Sequence, residues 1–405
     1  MLVNHPLETY QDEIYLTGTT GTTPGFPTDL SRMEEAARAA MTPQAYDYVV
    51  GSAGAGDTAR ENLEAFRRWR IVPRMLTDVS TPSFGTTVLG TELTVPFLLA
   101  PVGVLAIAHP EGEAAVARAA AAQRVPMILS TAASTAMEDV AEASGDGRRW
   151  YQLYWPKDRS VAASLLGRAQ AAGYTVLVVT LDTRTLAWRP RDLANGYLPF
   201  LQGIGIQNYL SDPAFRAPLA SPVEADPDAA VLRWTQIFGD TSLTWNDLPF
   251  VRQHWNGPIV LKGIMSAADA LRAAEAGMDG VVVSNHGGRQ VDGALAALDA
   301  LPPVVEAVGS RLAVLFDSGI RGGADMLKAL ALGARAVLIG RLYVYGLALG
   351  GEAGVRHVLR ALRQEFELTM RLAGLSRLSE LGPDCLQYGP GRPQPGQYQT
   401  ALSRS

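Results

Sequence analysis

The sequence predicts an α/β fold, a (β/α)8 or TIM barrel with an N-terminal helical segment and a long insertion after the fourth strand. Three observations carry this. Eight short apolar runs recur from Pro96 onward. Alanine-rich stretches of helical spacing separate most of them. Nearly every run ends in a polar or charged residue, the arrangement expected where barrel strands deliver chemistry at their C-terminal ends.

The runs are Phe97–Val102, Met127–Ser130, Trp150–Tyr154, Val176–Thr180, Ile259–Lys262, Gly280–Ser284, Ala313–Phe316 and Ala336–Ile339. Strands so uniformly apolar are buried on both faces, as in a parallel sheet. Between them lie EGEAAVARAAAAQ, SVAASLLGRAQAAG, SAADALRAAEAG and GADMLKALALG, several closing on glycine, the usual residue just past a helix end. Before the barrel, Leu30 to Val50 reads as one helix, and Asp57 as the cap of a second that runs through Leu63, Phe66 and Trp69 until Pro73 and Pro82 break the pattern. We therefore read a single domain, 1–405: a helical segment 1–95, a barrel 96–375 carrying an insertion 189–248, and a tail 376–405. The insertion, with NGYLPFLQGIGIQNYL and the proline- and acid-rich SPVEADPDAA, is too long for a plain loop. It is expected to lie over the active face as a lid or subunit contact, in preference to a membrane anchor, because it lacks a lysine-rich amphipathic face. The final stretch, LQYGPGRPQPGQYQTALSRS, could wrap a neighbouring subunit or be disordered.

Composition narrows the function. Of 405 residues 47% are hydrophobic and 19% charged, enough for a large core. A formal net charge of −5 argues against a nucleic-acid binder. The single cysteine, Cys385, forms no internal disulfide and fits a reducing cytoplasm. No secretory signal or membrane-spanning run is seen, and no metal site is expected.

The strand ends are Ala100-Pro101-Val102-Gly103, Ser130-Thr131, Gln152-Leu153-Tyr154, Thr180-Leu181-Asp182, Lys262-Gly263, Ser284 to Arg289, Asp317-Ser318-Gly319-Ile320-Arg321 and Gly340-Arg341. Glycine with arginine after both of the last two strands matches a barrel phosphate site. Lys262 closes an apolar run and needs an anion, either a structural carboxylate such as Asp317 or charge on a reduced cofactor ring. Of the five histidines (His5, His109, His254, His286 and His357) only His286 ends a buried strand, and Asp182 is placed to orient it. The glycine-rich stretch YDYVVGSAGAGDTAREN imitates a dinucleotide turn, but a polar helical segment precedes it, so that reading is rejected.

SNHGGRQ at 284–290, with VLKG, QLYW, TLDT and FDSGIRGGADMLKALALGA, resembles the FMN-dependent 2-hydroxy acid oxidising family from about Tyr10 to Leu381. Within it the nearest likeness is to lactate 2-monooxygenase, through YQDEIY, VPRML, WRPRDL, PFLQG and FDSGIR. The resemblance implies that His286 takes the substrate hydroxyl proton, steadied by Asp182. It implies that Arg189 and Arg289, aided by Tyr48, clamp the carboxylate and that Tyr154 bonds the reacting oxygen. Lys262 would face the flavin N1/O2 edge, and Pro101, Val102 and Gly103 would approach N5. Ser130, Gln152, Thr180 and Ser284 would bond the ring and ribityl chain, with Asp317 on the ribityl hydroxyls. Gly319, Arg321, Gly340 and Arg341 would hold the phosphate, with Ser318 and Ile320 completing the strand-7 turn. The implied reaction is oxidation of a small L-2-hydroxy acid by O2 with decarboxylation of the product. The alternatives are an oxidase that releases 2-oxo acid and H2O2, on a bulkier substrate, and a non-catalytic FMN-binding barrel. The implied partners are substrate and O2, with no nucleic acid or membrane, in a homo-oligomer (tetramer or octamer). Two positions depart from glycolate oxidase: Ala132 stands where it has tryptophan, and Gly103 where it has alanine. The missing methyl at Gly103 is expected to leave room over the ring.

Overall fold

A computed structural model describes residues 9–389 of the chain. All eight apolar runs are strands of one closed parallel barrel. In chain order these are β1 (Phe97–Leu99), β2 (Met127–Ser130), β3 (Arg149–Leu153), β4 (Leu177–Thr180), β5 (Ile259–Ile264), β6 (Gly280–Val283), β7 (Ala313–Phe316) and β8 (Ala336–Ile339). Each pairs with its neighbours in sequence, and β8 closes on β1 with Val337, Leu338 and Ile339 opposite Phe97, Leu98 and Leu99. The alanine-rich stretches form helices Gly112–Ala122, Arg159–Ala171, Ala267–Glu275 and Gly323–Ala331. Gly173, Gly277 and Gly333 follow three of them at φ +77°, +72° and +102°, a left-handed exit that other residues adopt at a cost.

The barrel has two apolar layers. Alternate residues point inward, among them Leu98, Ile128, Trp150, Val178, Val260, Val282, Leu315 and Leu338, and fill the lumen. The others pack beneath the helices. The lumen is stoppered by an antiparallel hairpin, Thr86–Val88 with Thr91–Leu93, which adds Val88 and Leu93 to the inner cluster. Thr91 Oγ1 accepts the indole N–H of Trp150 at 2.9 Å, so the one polar atom of that buried ring is satisfied.

The segment before the barrel differs from its expected form. Leu30–Val50 is not one helix: a 3-10 turn (Leu30–Arg32) leads into Met33–Ala40, and a second helix, Pro43–Val50, starts afresh after a break at Met41. Thr42 caps it and Pro43 occupies its first position, both helix-start signals that interrupt an apolar period. Asp57 does not cap the next helix, Asp57–Arg67, but lies inside it. The cap comes from Asp292, after β6, whose carboxylate accepts the N–H groups of Ala55, Gly56 and Thr58 at 2.7, 3.2 and 3.1 Å. Trp69 leaves the helix and begins a strand, Trp69–Ile71, paired antiparallel with Leu386–Tyr388. The first residues of the closing stretch are therefore ordered in a sheet, while 390–405 and His5 lie outside the described residues.

The insertion is built of short helices: Pro190–Ala194, Pro199–Gln202, Gln207–Leu210, Pro213–Arg216 and Pro227–Ile237. Its prolines and acids are helix starts. Asp212 caps Ala214 and Phe215, and Asp226 caps Ala229. Phe200, Ile206 and Tyr209 turn inward and are buried. Phe200 and Phe238 each stack on Trp234, with ring centroids 4.8 and 4.5 Å apart. Asn208, fully buried, pins the insertion to the end of β2: its Oδ1 accepts from Met137 N at 2.8 Å and its Nδ2 donates to the carbonyls of Ser130 and Thr131. Among the described residues, no helix is long and apolar enough to cross a membrane.

Asn208→Ala strands three buried backbone groups at once. The expected cost is about 1–3 kcal/mol for each group left without a partner, read as a lower urea midpoint by tryptophan fluorescence.

Candidate active site

The C-terminal ends of the strands open into a pocket lined on one side by Leu186, Phe200 and Phe238. The turn after β6 is its centre. His286 sits at φ +58° and Ser318, after β7, at φ +81°, left-handed conformations that non-glycine residues hold only when their surroundings enforce them. The enforcement is visible. Asn285 exchanges a reciprocal amide pair with Asn62 of the helix Asp57–Arg67, both bonds 2.8 Å. Ser318 Oγ accepts from the N–H of Gly287 at 3.0 Å and donates to Asp317 at 2.8 Å. Ser284 Oγ accepts from His286 N at 3.1 Å and from Lys262 Nζ at 2.8 Å.

His286 Nδ1 lies 2.8 Å from Asp182 Oδ1 and its Nε2 lies 3.4 Å from the Tyr154 hydroxyl. Burial holds the imidazole below its ordinary value, against the pull of Asp182. Asp182 is itself held low: burial would raise it, but His286 and Lys262 outweigh that. The resting pair is thus a neutral imidazole donating Nδ1–H to a carboxylate, with the Nε2 lone pair turned to the pocket. Asp182 Oδ2 is buried without a hydrogen-bond partner among the described residues. Burial pushes Tyr154 up to about 12, so its O–H remains a donor. Thr183 and Gln290, which the sequence reading missed, steady Asp182 through Thr183 Oγ1 at 3.1 Å to its carboxylate and Gln290 Nε2 at 2.8 Å to its carbonyl.

Lys262 meets Asp317 at 3.1 Å, the structural pairing weighed from sequence, and it also lines the pocket. Burial would lower its ammonium, but Asp317 and Asp182 more than offset this and hold it above the ordinary value. The four residues expected on the ring and ribityl chain divide. Ser130, Gln152 and Thr180 form a buried chain, Ser130 Oγ to Gln152 Oε1 at 3.0 Å and Gln152 Nε2 to Thr180 Oγ1 at 2.9 Å, beneath the pocket rather than on its wall. Ser284 joins Lys262 to the His286 turn.

Arginines dominate the remaining wall. Arg289 is held by the carbonyls of Tyr48 (2.8 Å) and Gly51 (2.6 Å), and Arg341 by those of Val49, Gly51 and Gly287. Arg189 is buried, donates to Arg289 O and Gln290 Oε1, and has Asp192 only at 4.0 Å. Burial, then repulsion by Arg189 and Arg341, pushes Arg289 down to about 9. A guanidinium stays charged at neutral pH even so, and the crowding expresses itself as affinity for anions. Tyr48 packs under Arg289, whose guanidinium carbon is 5.3 Å from the ring centre. Arg321, Gly319, Ile320, Gly340 and Arg341 line the β7–β8 side. A Cβ built on Gly340 would meet only Ala100, at 3.9 Å, and Gly340 opens the helix Arg341–Leu372 with no side-chain cap. That leaves first-turn N–H groups for an anion. Pro101, Val102 and Gly103 line the opposite wall. At Gly103 the expectation is corrected: a Cβ there would come 2.6 Å from Ala132 O and 2.8 Å from its Cβ. Alanine at 103 therefore collides with the β2 loop, and the glycine serves a close backbone approach.

Lys262→Met should leave Asp317 buried without its cation. The expected loss is about 3–5 kcal/mol of stability, the range for breaking a buried pair from one side, measured by chemical denaturation.

The sequence profile of the FMN-dependent dehydrogenases matches residues 37–388. An FMN-dependent alpha-hydroxy acid dehydrogenase of Schizosaccharomyces pombe is 48% identical over 90% of this chain and 92% of its own. An L-lactate oxidase of Lysinibacillus sphaericus is 40% identical over 88% and 92%. A crystal structure of mandelate oxidase with benzoyl-formic acid superposes with a TM-score of 0.79 at 36% identity, covering 90% of this chain and 99% of that one. Closed barrel, strand-end residues and sequence kinship agree, and the chain belongs to the FMN-dependent dehydrogenase family.

Proposed function

We propose that this FMN-dependent enzyme oxidises a small L-2-hydroxy acid, lactate foremost, with O2, and retains the 2-oxo acid until peroxide decarboxylates it: lactate and O2 give acetate, CO2 and water. The observation that carries the oxidation is one pocket lined by a neutral, carboxylate-oriented His286 together with Arg189 and Arg289, neither of which has a carboxylate nearer than 4.0 Å among the described residues.

The pocket residues fit FMN. Arg321, Arg341 and the uncapped helix start at Gly340 suit its phosphate, Asp317 its ribityl hydroxyls, and Lys262 its polar ring edge, while the Ser130–Gln152–Thr180 chain lies outside the pocket lining. When bound, FMN supplies the two-electron acceptor for the hydrogen on C2. The chain's residues do the rest. Arg189 and Arg289 hold the substrate carboxylate, each charge-assisted bond worth about 1.5–3 kcal/mol. Tyr154 donates its hydroxyl to the substrate oxygen, His286 Nε2 takes the proton from that oxygen, and Asp182 stabilises the imidazolium. The wall of Phe200 and Phe238, braced by Trp234, encloses the product and supports retention. The lactate 2-monooxygenase likeness of WRPRDL and PFLQG supports the decarboxylating outcome, since each gives one residue, Arg189 and Phe200, to the pocket lining.

A second reading has its own support: the small Ala132 on the pocket wall and the fit to mandelate oxidase favour a bulkier hydroxy acid oxidised with release of 2-oxo acid and H2O2. We also read a homo-oligomer in a reducing cytoplasm. Exposed Met75 and Leu76 (70% and 106%) and the unpaired Cys385 support this.

His286→Ala should keep FMN bound but slow anaerobic flavin bleaching by roughly 10²–10⁴-fold. In the wild type, that rate should fall as the pH drops through the His286 value, which burial holds below the ordinary imidazole range, because the base must be neutral. Arg289→Lys should mainly raise the substrate KM, since lysine lacks the two-point contact.

The product balance separates the two readings. L-lactate under air should give acetate and CO2 with little free peroxide, with and without catalase. Stoichiometric pyruvate and H2O2 would reject the decarboxylating reading and leave the oxidase.

A further inference from the structure

Glu113 is 1% exposed, lies in no ion pair among the described residues, and plays no part in the chemistry above. It stands in the first turn of the helix Gly112–Ala122, and its carboxylate reaches back beneath the turn that follows β1. Oε1 accepts from the N–H of Leu105 at 3.2 Å and of Ser134 at 2.9 Å, and Oε2 accepts from the Thr135 hydroxyl at 3.2 Å. One side chain thus joins the turn after β1 to the loop after β2.

That turn needs holding. Val104 lies at φ +54°, ψ +33°, a left-handed conformation that a β-branched residue adopts only under constraint. Its N–H donates to Ala132 O at 2.8 Å, and the next N–H, of Leu105, is the one Glu113 captures. On the other side the insertion presses close: a Cβ on Gly205 would fall 2.2 Å from Val104 Cγ1 and 3.1 Å from Ala132 O. Immediately before Val104 stand Pro101, Val102 and Gly103, the pocket wall. The Tyr343 hydroxyl, donating to Ala100 O at 3.0 Å, anchors the start of the turn, and Glu113 anchors its end.

We infer that Glu113 is a positioning residue for the flavin: its carboxylate locks the strained Val104 turn to the β2 loop and so fixes the backbone of Pro101–Gly103 against the cofactor. Geometry, not charge, does this. Both N–H groups go to one oxygen, and a glutamine carbonyl can receive them while its NH2 faces Thr135, whose hydroxyl can turn to accept. Aspartate keeps the charge but is one methylene too short to reach Leu105 N. The inference rests on FMN in this pocket and not on which hydroxy acid is oxidised.

The test uses the FMN-loaded full chain and sulfite as probe, read as bleaching of visible absorbance when it adds to the flavin. No substrate is needed, so the outcome is independent of the product balance. Glu113→Asp should weaken sulfite binding by about tenfold or more, the order expected of a sub-ångström to ångström misplacement at a reacting centre, and should alter the visible circular dichroism of the bound flavin. Glu113→Gln should stay within about threefold of wild type in both. A loss in Glu113→Gln, whatever aspartate does, would overturn the inference in favour of a charge effect. Wild-type sulfite affinity in Glu113→Asp would overturn it in favour of a residue that only fills the core, even if the thermal midpoint falls.

Discussion

Two half-buried guanidinium groups, in no ion pair among the described residues, are the constraint around which the barrel mouth is arranged. Arg289 and Arg341 come from different strand ends, yet both are received by the same feature, the carbonyls of Tyr48, Val49 and Gly51 at the C-terminal end of the helix Pro43–Val50. A helix end carries partial negative charge from its unpaired carbonyls, enough to hold a cation and too little to cancel it. The arginines are thereby fixed in place and left able to attract an anion. A carboxylate in the same position would have made a tighter pair and a poorer binding site. The segment before the barrel is thus part of the site: it supplies the counter-dipole, the Tyr48 ring and, through Asn62, the brace on the His286 turn.

The strand-end turns behave as a single unit because each hydroxyl serves two of them. Ser284 links the Lys262 ammonium to the backbone of His286, and Ser318 links Asp317 to the backbone of Gly287. The positive φ values at His286 and Ser318 are the local cost of aiming these groups into one pocket, offset by bonds from neighbouring strands. Lys262, His286 and Asp317 therefore stand on one cross-linked base, while Phe200 and Phe238 line the pocket from a separate packed layer.

Much of this was legible in the sequence because a parallel barrel writes itself plainly. Its strands are apolar on both faces, so all eight could be picked out, and the rule that chemistry gathers at strand ends singled out His286, Lys262 and Asp182. The resemblance to hydroxy acid oxidising enzymes drew in Tyr48 and Arg189 and gave the strand-end Tyr154 a role. What was not legible depends on contacts between distant segments. Asn62, Asn208 and Asp292 are ordinary polar residues until the fold sets a backbone group before each of them. Capping by Asp292 rather than Asp57 cannot be seen locally, since 234 residues separate it from Thr58. The helices within the insertion were not legible, because prolines and acids mark helix starts as well as loops. Gly103 misled because a sequence shows a missing methyl but not the direction in which it would have pointed.

The pairing of Trp69–Ile71 with Leu386–Tyr388 bears on how the chain is made. Trp69 has finished its helix and Tyr388 stacks edge-on against it, ring centroids 4.8 Å apart, from the far end of the described chain. On the ribosome the first of these strands must wait with an open edge until Leu386–Tyr388 has emerged. Contacts of such long sequence separation form late and slowly. Throughout synthesis the exposed edge is a surface on which a neighbouring nascent chain can pair instead. The pairing is thus among the last contacts the described chain completes, after the barrel that lies between its two strands.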